Sequence, residues 1–266
     1  MCRSAPLQRN LISQFLRERD DRYFQFAERV ASKVPDNQFA ASCYADLCRT
    51  LMREQVAFNR TGEYSCTDAS RAYRVTYSQD SMREYVIGLM LTYLFWPNHY
   101  SMMEMFWDHI LTAQPKKVLE VGAGHGLFTS EILRLLDADL TIVDISPQSI
   151  EICREFVPSS VNLNLTDYIT WGILGKFDLV IMGEVIEHVD DPFSFLWKTR
   201  GILSEGGSVF VSTCAECPAV DHVYRFRTVE EIREMIFRTG FSIEKELITQ
   251  APTTTINYAA VLRKNG

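Results

Sequence analysis

Several residue clusters have the types and spacing that chemistry requires. Glu120-Val-Gly122-Ala-Gly124-His-Gly126 sets three glycines at alternate positions behind a carboxylate. Glycine lets the backbone approach a ligand closely, because no Cβ stands in the way. The spacing is G-x-G-x-G, not the G-x-G-x-x-G of dinucleotide binders, and glycines also mark ordinary strand-to-helix turns. Asp144, followed by Ile145, ends a second apolar run. A carboxylate there accepts hydrogen bonds from ribose hydroxyls; alternatively it is an acid favoured by a helix N-terminus. Asp167 and Tyr168 follow a third run, where Asp167 either accepts an adenine amine, with the Tyr168 backbone against the ring, or caps a loop.

Gly183-Glu184-Val-Ile-Glu187-His188-Val189 follows a fourth run. Glu187 and His188 are neighbours in sequence and cannot share a helix face, so they do different things. His188 suits a general base near neutral pH, or it packs over a bound ligand. The segment CAECPAVDHVYRF follows a fifth run. There His222 and Tyr224 either line a pocket, with Asp221 orienting His222, or belong to a surface loop. Cys214 and Cys217 form C-x-x-C, but no second pair and no His at ligand spacing completes a zinc site. A redox pair would want a thioredoxin-like context, and this one follows the wrong strand. Two incidental thiols are the expectation, and no metal is assigned.

The elements that must position these residues fall into two parts. Residues 1–113 read as a helical cap or substrate region. LISQFLRERDDRYFQFAERVASKV has helical periodicity up to Pro35, and DNQFAASCYADLCRTLMREQVAF follows with Asp36 or Asn37 as N-cap. A polar loop runs from Asn59 to Thr67, and further helices from about Ser81 to Phe95 and from Tyr100 to Ala113. From 114 to 266 short β-rich runs alternate with helix-length segments, the pattern of a parallel sheet with crossover helices. KVLEV, DLTIVDI, VNLNL, FDLVIM and SVFVSTC are strands. The helix that starts at Asp191-Pro192 is expected to end before Gly206-Gly207. FSIEKELIT and TINYAAVLR close the chain as a pair of strands.

Composition narrows the function. At 266 residues and 47% hydrophobic, the chain can bury a sizeable core. A net charge of −7 makes it a poor non-specific binder of phosphate backbones, so nucleic acid is not the expected substrate. No apolar run reaches the length of a membrane span, and MCRSAPLQRN lacks the apolar core of a signal peptide. Seven cysteines, odd in number and scattered, are no disulfide framework. A cytoplasmic protein without membrane partners, monomer or homodimer, is expected.

The segment from Lys116 to about Lys264 resembles the class I S-adenosylmethionine-dependent methyltransferases, particularly the small-molecule group. VLEVGAGHG is similar to the family's first motif, VDIS to its second, FDLVIMGEVIEHVDDP to its fourth-strand motif and ILSEGGSVFVST to its fifth-strand segment. The resemblance implies a Rossmann-like α/β three-layer sandwich, with a mostly parallel seven-stranded sheet, an antiparallel C-terminal hairpin and an N-terminal helical cap. It implies S-adenosylmethionine as cofactor, with Asp144 on the ribose and Glu120, Gly122, Gly124, Gly183 and Glu184 around the methionine moiety. Methyl transfer to a small molecule is the implied activity. The nucleic-acid adenine methyltransferase motif is absent after the fourth strand, where GEVIEHV stands instead. A sulfonium is a cation that aromatic faces stabilise; Tyr23, Tyr77 and Tyr100 are candidates for that role, though aromatic density is more often a core signal. Two alternatives stay open. In one, the cofactor cyclises on itself to azetidine-2-carboxylate and methylthioadenosine; in the other, the chain is an NAD-dependent oxidoreductase, which the glycine spacing and the closing hairpin disfavour.

Overall fold

The computed structural model describes residues 13–34, 36–77, 81–173, 175–251 and 254–265. Seven strands form one sheet: β1 (Lys117–Val121), β2 (Asp139–Asp144), β3 (Asn162–Leu165), β4 (Phe177–Gly183), β5 (Leu203–Ala215), β6 (Phe241–Gln250) and β7 (Ile256–Lys264). Their order is β3-β2-β1-β4-β5-β7-β6. The first five are parallel, and β7 runs antiparallel between β5 and β6. The expected fold class is therefore the one observed.

Alternation along the strands assigns their side chains to two cores. Val118, Leu179, Ile181 and Phe210 face one cluster with Phe26, Phe106 and Trp107 from the helical segment. Leu119, Val180, Val209 and Val211 face the other, with Leu196, Ile232 and Ile236. Helices Asp21–Ala31 and Pro97–Ala113 thus help cover one face of the sheet, and the packing runs across the 113/114 division, which marks a change of secondary structure. Buried Glu131, on helix Leu127–Leu135, ties the two parts together. It accepts hydrogen bonds from Arg29 at 3.0 and 3.1 Å and from the Trp107 indole at 2.9 Å.

Four local expectations need correction. Apolar periodicity joins residues 11–34, but Asp20 caps a fresh helix at Asp21, accepting from the Tyr23 amide at 3.0 Å; an acidic pair can start a helix within an uninterrupted apolar pattern. The long helix Asn37–Thr61 runs into the supposed polar loop and stops at Gly62, whose φ of 72° gives a left-handed C-cap. Pro97, not Tyr100, opens the next helix, since proline suits a first turn. Helix Pro192–Ile202 does end before Gly206-Gly207, but it passes directly into β5, which starts at Leu203 rather than Ser208, so the two glycines lie within the strand. Among the described residues no helix is long and apolar enough to cross a membrane.

The strand order reverses between β1 and β4, because β1 is followed by β2 on one side and β4 by β5 on the other. Backbone connections leave in opposite directions there, opening a crevice at the carboxyl ends of the strands.

Candidate active site

A cavity of about 1420 Å³ lies over that crevice, roofed by the helical segment. One end is built mainly from backbone. Gly122 continues the ladder by donating to Val143 O at 2.8 Å, and Gly126 closes a tight turn onto Ala123 O at 2.8 Å. Gly122 has φ of 67°, and a Cβ there would lie 2.8 Å from Val185. At Gly124, with φ of 51°, a Cβ would meet no protein atom within 4 Å, so this glycine borders open cavity. Its amide donates to Asp144 Oδ2 at 3.3 Å, and the Ser146 amide donates to Oδ1 at 2.8 Å. Burial pushes the Asp144 carboxyl up to about 6 against these hydrogen bonds. Glu120 is also buried; its Oε2 accepts from the Thr129 amide at 3.0 Å and from the Thr129 hydroxyl. Burial lifts it to about 7 against those bonds. Ile145, Asp167 and Tyr168 line the same end. Asp167 Oδ1 accepts from the Ile169 amide at 2.7 Å, and the Tyr168 hydroxyl lies 2.8 Å from Thr199 Oγ1.

The other end is built from side chains. Gly183 has no room for a Cβ, which would lie 2.4 Å from the Phe128 ring. Glu184 follows with φ of 54°, an uncommon left-handed conformation. Its amide donates to Ser212 O and Ser212 Oγ, both at 3.1 Å. Burial and the neighbouring Glu187 charge hold the Glu184 carboxyl well above the usual range. His188 Nδ1 sits 2.9 Å from the Tyr77 hydroxyl and 3.0 Å from the carbonyl oxygen of Asp221. A carbonyl can only accept, so Nδ1 carries the proton and Nε2 is left as a base. Tyr85 donates its hydroxyl to Asp221 Oδ1 at 3.0 Å, fixing that loop from the helical side.

The structure brings His188, His222 and all of Glu120, Gly122, Gly124, Asp144, Ile145, Asp167, Tyr168, Gly183 and Glu184 to one cavity. It does not bring Tyr23 or Tyr224 there. Tyr23 is 2% exposed, its hydroxyl donating to Leu94 O at 2.6 Å and its ring packed edge-on against Tyr100. Tyr100 is likewise core. Tyr224 is 39% exposed, packs on Phe226 and donates its amide to Glu187 O at 2.9 Å. An aromatic stripe on an amphipathic helix faces its own core first, which is why Tyr23 is corrected; Tyr224 faces away because its backbone serves as an anchor. Tyr77 does reach the site.

Residues that sequence spacing passed over also line the cavity: His125 within the glycine turn, Tyr85, and Cys217. The absence of a suitably spaced histidine beside C-x-x-C is corrected too. The loop after β5 folds back so that ligand atoms of Cys214, Cys217 and His222 lie within 4.8 Å of one another. The Cys217 thiol is pulled well down, chiefly by the hydrogen bond from Cys214 and then by His222, against burial. Burial works against a charged His222, but its contacts with Cys217 outweigh that and hold it up at about 10.

The cavity's fit to an adenosyl cofactor rests on three features: the open space beside Gly124, the buried Asp144 carboxylate and the exposed edge of Ile145. Comparison with known proteins agrees. Residues 119–209 match a methyltransferase domain family. A ubiquinone biosynthesis O-methyltransferase of Xanthomonas campestris pv. campestris is 34% identical over 111 residues, 39% of this chain and 45% of that protein. The chain thus aligns with less than half the length of this curated relative. In fold it is similar to the N-methyltransferase NodS from Bradyrhizobium japonicum WM9 in complex with S-adenosylhomocysteine (TM-score 0.54, 19% identity, 63% of this chain and 88% of that one). It is also similar to the pyocyanin biosynthetic protein PhzM (TM-score 0.57, 17% identity, 84% of this chain and 72% of that one). Motifs, strand order and matched residues converge on the same crossovers: residues 119–209 are similar to a methyltransferase domain, on a fold shared with methyltransferases of known structure.

Proposed function

We propose that this protein transfers the methyl group of S-adenosylmethionine to a hydroxyl of a bulky, largely apolar small molecule. The observation that carries this is the size and division of the cavity. At about 1420 Å³ it exceeds the roughly 300–1,000 Å³ common for a single small ligand. Its lining includes Met82, Val86, Leu89, Phe95 and Trp96, an apolar set suited to an apolar acceptor. The named O-methyltransferase relatives favour oxygen as the attacked atom.

When bound, the cofactor supplies an electrophilic methyl carbon on a sulfonium. Asp144 would accept the ribose hydroxyls, Asp167 and the Tyr168 backbone would border the adenine, and the Gly122–Gly124 backbone and Glu184 would border the methionine portion. Glu120 holds the glycine turn to Thr129 and would border the methionine portion. His188, oriented by Tyr77 and Asp221, would take the acceptor's hydroxyl proton at Nε2, making the acceptor oxygen a nucleophile. His222 and Tyr77 border that acceptor. Alignment and water exclusion by the helical roof supply the rest.

The dinucleotide alternative has no support in the matched family. Self-cyclisation would need no second compartment, and the apolar lining supports an acceptor instead. The test is incubation with S-adenosylmethionine, with and without hydroxylated aromatic acceptors, followed by mass spectrometry of the adenosyl products. Acceptor-dependent S-adenosylhomocysteine is expected; methylthioadenosine formed without acceptor would overturn methyl transfer.

A further inference from the structure

Beside the acceptor end, and sharing His222 with it, lies a cluster whose two thiols and buried Glu187 carboxylate have no part in the proposed methyl transfer. Cys214 is the penultimate residue of β5, Cys217 and His222 sit on the loop that follows, and Glu187 lies on the one-turn helix after β4. Ligand atoms of Cys214, Cys217 and His222 all lie within 4.8 Å of one another. A Glu187 oxygen comes within the same distance of Cys214, in a set with Glu184, and of His222, in a set with His188. The imidazole is held in place, with Nδ1 2.7 Å from the Cys217 carbonyl oxygen and 3.8 Å from Cys214 Sγ.

A second observation points inward. Glu187 is fully buried; its Oε2 accepts from the Thr213 hydroxyl at 2.8 Å, but its Oε1 is buried without any partner. A buried carboxylate oxygen left unpaired is costly, and a cation among the adjacent sulfurs and imidazole would satisfy it. The loop is also fixed before any ion arrives. The Cys217 amide donates to the Tyr64 hydroxyl at 2.8 Å, Glu216 pairs with Arg225 at 2.8 Å, and the Val223 and Tyr224 amides donate to Glu187 O at 2.8 and 2.9 Å.

We infer that Cys214, Cys217, His222 and Glu187 form a tetrahedral site for a borderline-soft divalent cation, Zn²⁺. Two thiolates and an imidazole select zinc over the hard, oxygen-seeking ions. Zinc–sulfur bonds of about 2.3 Å and zinc–nitrogen bonds of about 2.0 Å require the ligand atoms to draw in modestly around the ion. Binding converts the two thiols to thiolates and releases their protons to solvent. The ion fastens the loop after β5 to the segment after β4, and so sets the wall that carries His222 and Asp221.

The test needs no methyl acceptor and no cofactor, so it stands or falls apart from the proposed activity. Reduced, chelator-treated protein is titrated with Co²⁺, and the purified chain is analysed for bound zinc. One ion per chain is expected, with thiolate-to-cobalt charge-transfer absorption and the intense visible bands of a tetrahedral centre. Both signals should be lost in Cys217→Ser and His222→Ala and retained in Cys43→Ala. Because those variants disturb a packed loop, the unaltered protein gives a second readout: Zn²⁺ should shield two thiols, identified as Cys214 and Cys217, from alkylation. Absence of binding, a weak octahedral spectrum without charge transfer, or unshielded thiols would each overturn the site.

Discussion

The two ends of the cavity are made in different ways. At the first crossover, Gly122, Gly124 and Asp144 are placed by β1, β2 and the turn between β1 and its helix, mostly through backbone hydrogen bonds. At the second, His188, Asp221, His222, Tyr77 and Tyr85 come from separate segments and are placed by one another's side chains. A backbone-built site depends on conformation, tolerates side-chain change outside a few small residues, and suits a ligand common to a whole family. A site built by side chains from distant segments can be refashioned piecemeal, as acceptor choice requires.

Substitutions should separate the two ends. The largest effect is expected from His188→Ala, which removes the proposed base; turnover should fall roughly 10²- to 10⁴-fold while S-adenosylhomocysteine affinity stays near normal. A calorimetric loss of cofactor affinity as large as the loss of rate would break the division of labour. Next is Asp144→Ala, expected to weaken S-adenosylhomocysteine binding by about 1–3 kcal/mol, the cost of losing hydrogen bonds to a charged group. Titration calorimetry checks it. Gly183→Ala puts a methyl group against Phe128, and overpacking of this kind costs about 1–3 kcal/mol of stability; denaturant unfolding reads it.

Protonation gives a further contrast. Glu120 and Asp144 are both raised by burial, to about 7 and about 6. The folded protein therefore holds these protons more tightly than the unfolded chain does. Their contribution to stability is fully present below the ordinary carboxylate range and is lost as pH rises through 6 to 7. Thermal unfolding of the ligand-free protein should show this decline, and Glu120→Gln should flatten it. The smallest effect belongs to Tyr23→Phe. Loss of its hydrogen bond to Leu94 O should cost about 0.5–1.5 kcal/mol of stability and leave turnover unchanged. A fall in turnover would return Tyr23 to the site.

The same contrast explains what could be read from residue order. Gly122, Gly124 and Asp144 were legible because strand, turn and helix N-terminus follow one another within a short stretch, and local rules govern each. The alternating strands and the closing hairpin were legible for the same reason. Tyr23 misled because an aromatic on an amphipathic helix has the same pattern whether it faces a core or a pocket. The meeting of Tyr77 with His188, 111 residues later, has no local signal. Nor does the approach of Glu187 to Cys214, which depends on β4 and β5 lying side by side. The nearness of His222 to C-x-x-C was open to inspection, but its fit depends on the loop folding back, which spacing alone does not state.

The most direct measurement is a crystal structure of the protein with S-adenosylhomocysteine. The ribose hydroxyls are expected on Asp144, the amino-acid portion along Gly122–Gly124, and the sulfur facing the compartment that holds His188. A nucleoside bound away from the β1–β4 crevice, or with its ribose out of reach of Asp144, would contradict that placement.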